Sequence, residues 1–176
     1  MELRTERLLL RPQRETDVDA IVAGLNDYEV TRWLVVVPHP YTPADAREWI
    51  ARQQPAEPAA AHFAVDLPGT GLIGVVGIGP GLGYWLDRRH HGNGYMTEAS
   101  TALLDWHFAA MPDSVLQSGV LVGNQASLNV QNKLGFADTG IRDMRFVRSQ
   151  GREIEHINTS LVRSGYEAAR RRLRVN

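Results

Sequence analysis

The stretch from Arg88 to Ala99, RRHHGNGYMTEA, constrains the fold of this chain more than any other. The aromatic, apolar run Leu82 to Asp87 before it reads as a strand. Tyr95 to Phe108 after it reads as a helix, because Met96, Ala99, Leu103 and Trp106 recur at spacings of three and four. Between strand and helix stand Gly92 and Gly94, and from Arg88 to Thr97 there is no carboxylate. First helical turns ordinarily favour Asp or Glu, since the N–H groups there are unpaired and the dipole end is positive. The vacancy suits an anion from outside. The glycines permit positive φ and remove the Cβ atoms that would block a close approach. Successive amides can then converge on one oxygen cluster, with Arg88 and Arg89 adding positive potential. The same spacing also fits a plain strand-to-helix turn whose glycines only ease the bend.

Other segments supply the frame. Glu6 to Arg11 reads as a strand stopped by Pro12, and Thr16 to Leu25 as a helix with Val18, Ile21, Val22 and Leu25 on one stripe. Thr42-Pro43-Ala44-Asp45 is a helix start, with a capping Thr, a first-turn proline and an acid three residues after the cap. That helix carries Trp49 and Ile50, ends near Gln54 and gives way to a surface linker, PAEPAA. HFAVDL and LIGVVGIG flank the turn PGTG as a hairpin, and GIGPGLGYW makes a tight connection to the strand LGYWLD. SVLQSGVLV is a strand, and NQASLNVQNKLG is a short helix closed by Gly135. RDMRFVRSQGREIEHINTSLV is a long hairpin turning at Ser149-Gln150-Gly151. The order predicts a single α+β domain over residues 1–176, built on a mixed, largely antiparallel central sheet, with 164–176 a basic C-terminal tail in which YEAARRRLRVN reads as a solvated helix.

Several function classes drop out. The P-loop pattern is absent, and the glycines of GIGPGLGYW alternate wrongly for a dinucleotide fingerprint and are followed by a strand. A net charge of −1 speaks against general nucleic-acid or membrane-surface binding. With no cysteine there is no thiolate metal site and no cysteine nucleophile, which fits a reducing cytoplasm. No apolar run approaches a membrane span. Adjacent His90 and His91 rarely aim both rings at one metal, and no carboxylate cluster accompanies them, so no metal is expected.

Arg89-x-x-Gly92-x-Gly94 matches the Q/R-x-x-G-x-G/A signature of the GNAT superfamily of N-acetyltransferases. LGYWLDRRHHGNGYMTEA resembles the strand–loop–helix that grips the acetyl-CoA pyrophosphate there, and GNQASLNVQNKLGF resembles that family's second signature. VTRWL…P…YTPADAREWI and GTGLIGVVGI resemble segments upstream, so the likeness runs from about Leu8 to Leu161. It points most nearly to the ribosomal-protein N-terminal acetyltransferases, the Rim type.

The resemblance implies the GNAT fold, with helices on both sheet faces and a splayed strand whose free backbone groups hold the pantetheine arm. Acetyl-CoA is then the co-substrate. Leu86 and its neighbours hold pantetheine, the amides of His91, Gly92, Asn93, Gly94, Tyr95 and Met96 hold the pyrophosphate, and Arg89 belongs to the same site. Asn124 and Ser127 share a helix face and, by the resemblance, meet the thioester end. Ser127 supplies a proton to the leaving thiolate, where other branches use a tyrosine and this chain has Phe136. Asn124 is equally a plain N-cap, and Ser127 a first-turn serine. Direct transfer fits the lack of cysteine, with a backbone N–H of GYWLD meeting the oxyanion. Candidate bases are Glu98, Glu155, His156 or water. Thr159 falls where relatives often carry tyrosine.

The implied acceptor is an amine, foremost a protein or peptide N-terminus. A lysine side chain, pKa ~10.4, is seldom neutral at pH 7, whereas an α-amine, pKa ~7.7–8.0, is neutral in roughly a tenth of molecules. A small-molecule amine, a CoA-binding regulatory domain without turnover, and an unrelated anion-binding module are the alternatives. A homodimer is left open. The basic tail, RRRLR, reads as a solvated end rather than an RNA contact.

Overall fold

The computed structural model describes residues 1–79 and 81–175. Pro80, inside the tight connection expected from GIGPGLGYW, and Asn176, the end of the expected tail, lie outside the described residues. In chain order the elements are β1 (Leu3–Arg4), β2 (Leu9–Arg11), α1 (Val18–Leu25), α2 (Tyr28–Thr31), α3 (Pro43–Ala51), β3 (Ala61–Leu67), β4 (Gly71–Ile78) and β5 (Leu82–Leu86). Then follow α4 (Tyr95–Ala110), β6 (Val115–Leu121), α5 (Gln125–Leu134), β7 (Ala137–Val147), β8 (Arg152–Val162) and α6 (Arg163–Val175).

The strands form two sheets, ordered β1-β2-β3-β4-β5 and β6-β8-β7, and every recorded pairing is antiparallel. The expected central sheet is therefore split: β5 and β6 face each other without a ladder. Side chains alternate between faces. Phe63 and Val65 point into a core with α4, which also takes Leu10, Ile73, Leu103 and Leu104. Ala64 and Leu72 point the opposite way, onto Val18, Ile21 and Leu25 of α1 and Ala46 of α3. Helices thus cover both faces.

Local chemistry explains the element ends. Thr42 Oγ1 accepts from the Asp45 N–H at 3.2 Å, while Asp45 Oδ2 accepts from the Thr42 N–H at 2.8 Å, closing the expected capping box. The strand expected over Glu6 to Arg11 is confined to β2, because the Thr5 hydroxyl and amide turn the chain back onto Leu8 between β1 and β2. α2 was not legible in the pattern; Asp27 caps it, its Oδ1 accepting from the Glu29 N–H at 3.0 Å. The expected solvated tail is instead packed: Tyr166 is 4% exposed and Ala169 1%. The Tyr166 hydroxyl reaches Thr101 O at 3.0 Å and Asp105 Oδ1 at 2.7 Å. The tail is helical as expected, but Tyr166 and Ala169, three apart among arginines, give it a buried stripe.

Candidate active site

β5 delivers the chain to a compact turn. Asp87 Oδ1 accepts from the Arg89 N–H at 2.9 Å and caps a short 3-10 helix, Arg88–His90. The His91 N–H donates to Arg88 O at 3.1 Å, and the His91 ring Nε2 lies 2.9 Å from Leu86 O, so the turn folds back on its own strand. Gly92 and Gly94 both take φ +79°, conformations a side chain would strain. Gly94 is the N-cap of α4 and has no side chain to satisfy the helix's first amides. Among the described residues, the N–H groups of Gly92, Asn93, Gly94, Tyr95 and Met96 meet no protein acceptor. Five free donors thus sit together at the positive end of a 16-residue helix.

Several groups of the loop are engaged by the protein itself. The His91 amide is taken by Arg88, which leaves the donors at Gly92 to Met96. Arg89 does not line the cavity: its guanidinium is 2.7 Å from Asp87 Oδ2, and its side chain is 79% exposed. Arg88 is likewise paired, with Asp27 at 2.7 Å. The hydrogen bond and charge of Arg89 hold the Asp87 carboxyl below its ordinary range. The Asp-x-Arg spacing in the sequence signalled this pairing. The local field therefore comes mainly from amides and the helix end. Asn93 also stays outside the cavity, its side-chain amide donating to His90 O and His91 O and bracing the loop. Arg7, which the sequence reading missed, reaches the loop: it donates to Asn93 O at 3.1 Å and lies 4.5 Å over the Tyr95 ring.

A cavity of about 1180 Å³ runs from this loop into the gap between β5 and β6. Leu86, His91, Gly92, Gly94, Tyr95 and Met96 line one part of it; Asn124 and Ser127 line it from α5. The gap is held at one end by a chain of buried hydrogen bonds. Thr159 Oγ1 donates to Gln131 Oε1 at 2.7 Å, Gln131 Nε2 to Ser118 Oγ at 2.9 Å, and Ser118 Oγ to Leu82 O at 2.7 Å. Thr159 thus fastens β8 through α5 and β6 to β5. Leu82 and Leu86 both turn their carbonyls away from β4, and strand alternation gives Tyr84 between them the same outward backbone edge. An extended amide ligand fits such an unladdered edge, and a linked diphosphate fits the free amides. The residues present therefore suit acetyl-CoA.

Asn124 is an N-cap, its Oδ1 accepting from the Ser127 N–H at 3.2 Å. Ser127 Oγ lies 2.9 Å from the Tyr84 hydroxyl, which also donates to Ser127 O at 3.2 Å. Burial pushes the Tyr84 phenol up to about 12, so it stays protonated. This contact joins positions 43 apart in sequence and left no local signal.

The candidate bases separate. Glu98 faces the N-terminal strand region: Thr5 Oγ1 donates to it at 2.6 Å, the Arg7 N–H at 2.9 Å and Arg7 Nε at 2.7 Å. Burial would raise its pKa, but these bonds and the Arg7 charge outweigh that and hold the carboxyl below its usual value. Glu155 is exposed and stands outside the cavity. His156 lines it. Glu98→Gln is accordingly expected to keep kcat within about twofold while lowering stability. Because the folded pKa is depressed, the Glu98 contribution is present above the unfolded pKa and fades as pH falls through the folded one. The variant's acid-unfolding curve should be correspondingly less steep in urea titrations across that range.

A further wall of the cavity is held by a clasp. The Arg148 N–H donates to Val35 O at 3.1 Å, Ser149 Oγ to Thr31 O at 3.1 Å and Gln150 Nε2 to Arg32 O at 2.7 Å. The β7–β8 turn thereby pins the loop after α2, whose Trp33 and Val35 to Val37 line the same cavity.

Comparison with known proteins agrees with this architecture. The model of the acetyltransferase (GNAT) domain matches residues 7–137. The uncharacterized N-acetyltransferase p20 of Bacillus licheniformis is 29% identical, over 93% of this chain and 97% of its own. An acetyltransferase of the GNAT family from Bacillus anthracis superposes with a TM-score of 0.78 at 20% identity, covering 93% of this chain and 99% of that one. The ribosomal-protein-S5-alanine acetyltransferase of Vibrio fischeri superposes with a TM-score of 0.76 at 20% identity, covering 94% and 98%. A split sheet, a free amide cradle at a helix end and a family match over most of the chain have one meaning: this chain belongs to the GNAT family of acetyltransferases.

Proposed function

We propose that this N-acetyltransferase moves the acetyl group of acetyl-CoA directly to the α-amine of a protein or peptide N-terminus. The observation that carries the reading is the row of unpaired amides, Gly92 to Met96, opening onto an unladdered strand edge. In this reading those amides bind the pyrophosphate, while Leu86 and the outward backbone of Tyr84 run beside pantetheine. The leaving thiolate takes its proton from Ser127. The Tyr84 hydroxyl stays protonated and lies within reach of both Ser127 O and Ser127 Oγ; when its one proton turns to Oγ, the serine proton is released to point into the gap. The likeness to a ribosomal-protein-S5-alanine acetyltransferase supports an N-terminal acceptor, as does the greater neutral fraction of an α-amine at pH 7.

A thiol-release screen tests it, with acetyl-CoA and peptides of differing first residue beside polyamines and free amino acids. Turnover with α-amine peptides is expected. Faster turnover of polyamines would move the assignment to small amines, and CoA binding without turnover of any amine would make the chain a regulatory domain. Ser127→Ala should lower kcat by about 10²-fold and leave the acetyl-CoA affinity unchanged in calorimetry. Tyr84→Phe, which keeps the ring and removes only the hydroxyl, should lose about tenfold in kcat. Little further loss is expected when it is combined with Ser127→Ala, because both act on one proton.

A further inference from the structure

β7 and β8 are in register so that Asp143 and His156 are direct cross-strand partners. The Asp143 Oδ1 lies 3.1 Å from His156 Nδ1, and the His156 side chain is 15% exposed. The ring leans across β6 above Gly119. A Cβ on that glycine would fall 2.0 Å from the ring Cε1 and 2.2 Å from Nε2. Gly119 is therefore what admits the imidazole, and the Cε1–Nε2 edge sits where a side chain of β6 would otherwise be. Among the described residues nothing is hydrogen-bonded to Nε2, and His156 lines the cavity that also holds Ser127. Asp143 accepts from Asn158 Nδ2 at 3.1 Å and pairs with Arg145 at 2.5 Å. Burial pushes this carboxyl up, but the Asn158 and His156 hydrogen bonds and the Arg145 charge outweigh that and hold it below its ordinary value.

We propose that His156 is the general base of the reaction and that Asp143 is its positioning residue, fixing the tautomer with the proton on Nδ1 and a free lone pair on Nε2. The inference rests on the acetyl-transfer reading and sharpens its acceptor class. Nε2 takes one of the three protons of the acceptor ammonium. The freed amine lone pair forms the C–N bond, the C–S bond breaks, and its electron pair leaves on sulfur, which Ser127 protonates. A second proton from nitrogen restores Ser127 by way of Tyr84 or water, and the third stays on the amide. The imidazolium then releases its proton to solvent. An α-ammonium gives up its proton far more readily than a lysine ammonium, whose pKa is higher by about 2.5 units. This base is therefore matched to α-amines.

Histidine→glutamine at position 156 (His156→Gln) and Asp143→Asn are the test, assayed for kcat/KM against pH with a peptide bearing a free α-amine and with an N-terminally blocked lysine peptide. Other charges around the ring are Arg145 beyond Asp143, Glu155 on the opposite face of β8, and Arg148 and Lys133 lining the cavity; β6 presents no ionisable group between Ser118 and Leu121. His156→Gln is expected to lose about 10²-fold at pH 7, to bind acetyl-CoA as before in calorimetry, and to shift its acidic limb upward to that of the free amine. Asp143→Asn should lose about tenfold in kcat with the KM for the α-amine peptide and the acetyl-CoA affinity unchanged, and it carries the test alone if His156→Gln does not fold. Ser127→Ala should leave the acidic limb where it is. A folded His156→Gln with the wild-type limb and rate overturns the base assignment. If the wild type prefers the lysine peptide while His156→Gln still loses its limb, the base stands and the α-amine reading falls.

Discussion

Gly92→Glu is expected to weaken acetyl-CoA binding by more than about 100-fold in calorimetry, a loss of about 2.8 kcal/mol or more. Two costs contribute, and they can be separated. At φ +79° any side chain strains the backbone by about 1–2 kcal/mol. A Cβ there meets no heavy atom within 4 Å, so the fold itself is not overpacked. What the glutamate adds is a carboxylate among the five free amides, where it satisfies donors meant for phosphate and repels the phosphate's own charge. Gly92→Asn isolates the first cost, because asparagine tolerates the left-handed region; it should lose less than about tenfold. Both variants should remain folded, with Gly92→Glu unfolding a few degrees below wild type on account of the backbone strain. Normal affinity in a folded Gly92→Glu protein would remove the pyrophosphate from this loop.

That prediction was legible in the sequence because it depends on backbone alone. Two glycines one residue apart before a helical stripe mark where amides can be left free, although the same spacing also suits a plain turn. Side-chain roles at the same loop were less legible. The free positive potential expected of Arg88 and Arg89 is largely absorbed by Asp27 and Asp87, one of them distant in sequence. Pairings across the fold left no trace at all. Tyr84 meets Ser127 only after β5 and α5 are brought together, and Asp143 meets His156 only through the hairpin register, which a one-residue slip would destroy. His156 looked like an ordinary strand residue, since the vacancy that admits its ring is a glycine on a third element, Gly119. The packing of α6 was discernible in principle, but its run of arginines outweighed two small clues, Tyr166 and Ala169. Periodicity thus located the elements and the backbone site, while the partners of polar side chains awaited the tertiary structure.

The largest stability effect is expected at a polar cluster remote from the chemistry. Arg11 of β2 is 4% exposed and donates to Asp66 of β3 at 2.6 Å and to both Asp17 oxygens at 2.8 Å. Asp17 leads into α1, itself 4% exposed, and its Oδ2 also accepts from the Arg14 N–H at 2.7 Å. The bidentate fork therefore holds the start of α1 against the sheet, and α1 carries the second core, onto which Tyr41 and Trp49 close. Arg11→Met keeps most of the side-chain volume but strands two carboxylates beside each other in a site built for a cation. Removing one partner of a buried pair costs about 3–5 kcal/mol, which in urea, at a slope of about 1–3 kcal/mol/M, moves the midpoint by more than about 1 M. The pH dependence identifies the cause. In the variant, the two carboxylates face a site from which their shared cation is gone, so negative charge there is costly. The folded state then binds protons more readily, so stability relative to wild type recovers as pH falls toward the carboxylate range and is lost as pH rises through it. A loss that merely reflected poorer packing by Met would be the same at every pH. Urea midpoints for both proteins at pH 7 and pH 5 distinguish the two: a gap that narrows in acid identifies stranded charge, and a constant gap assigns the loss to packing.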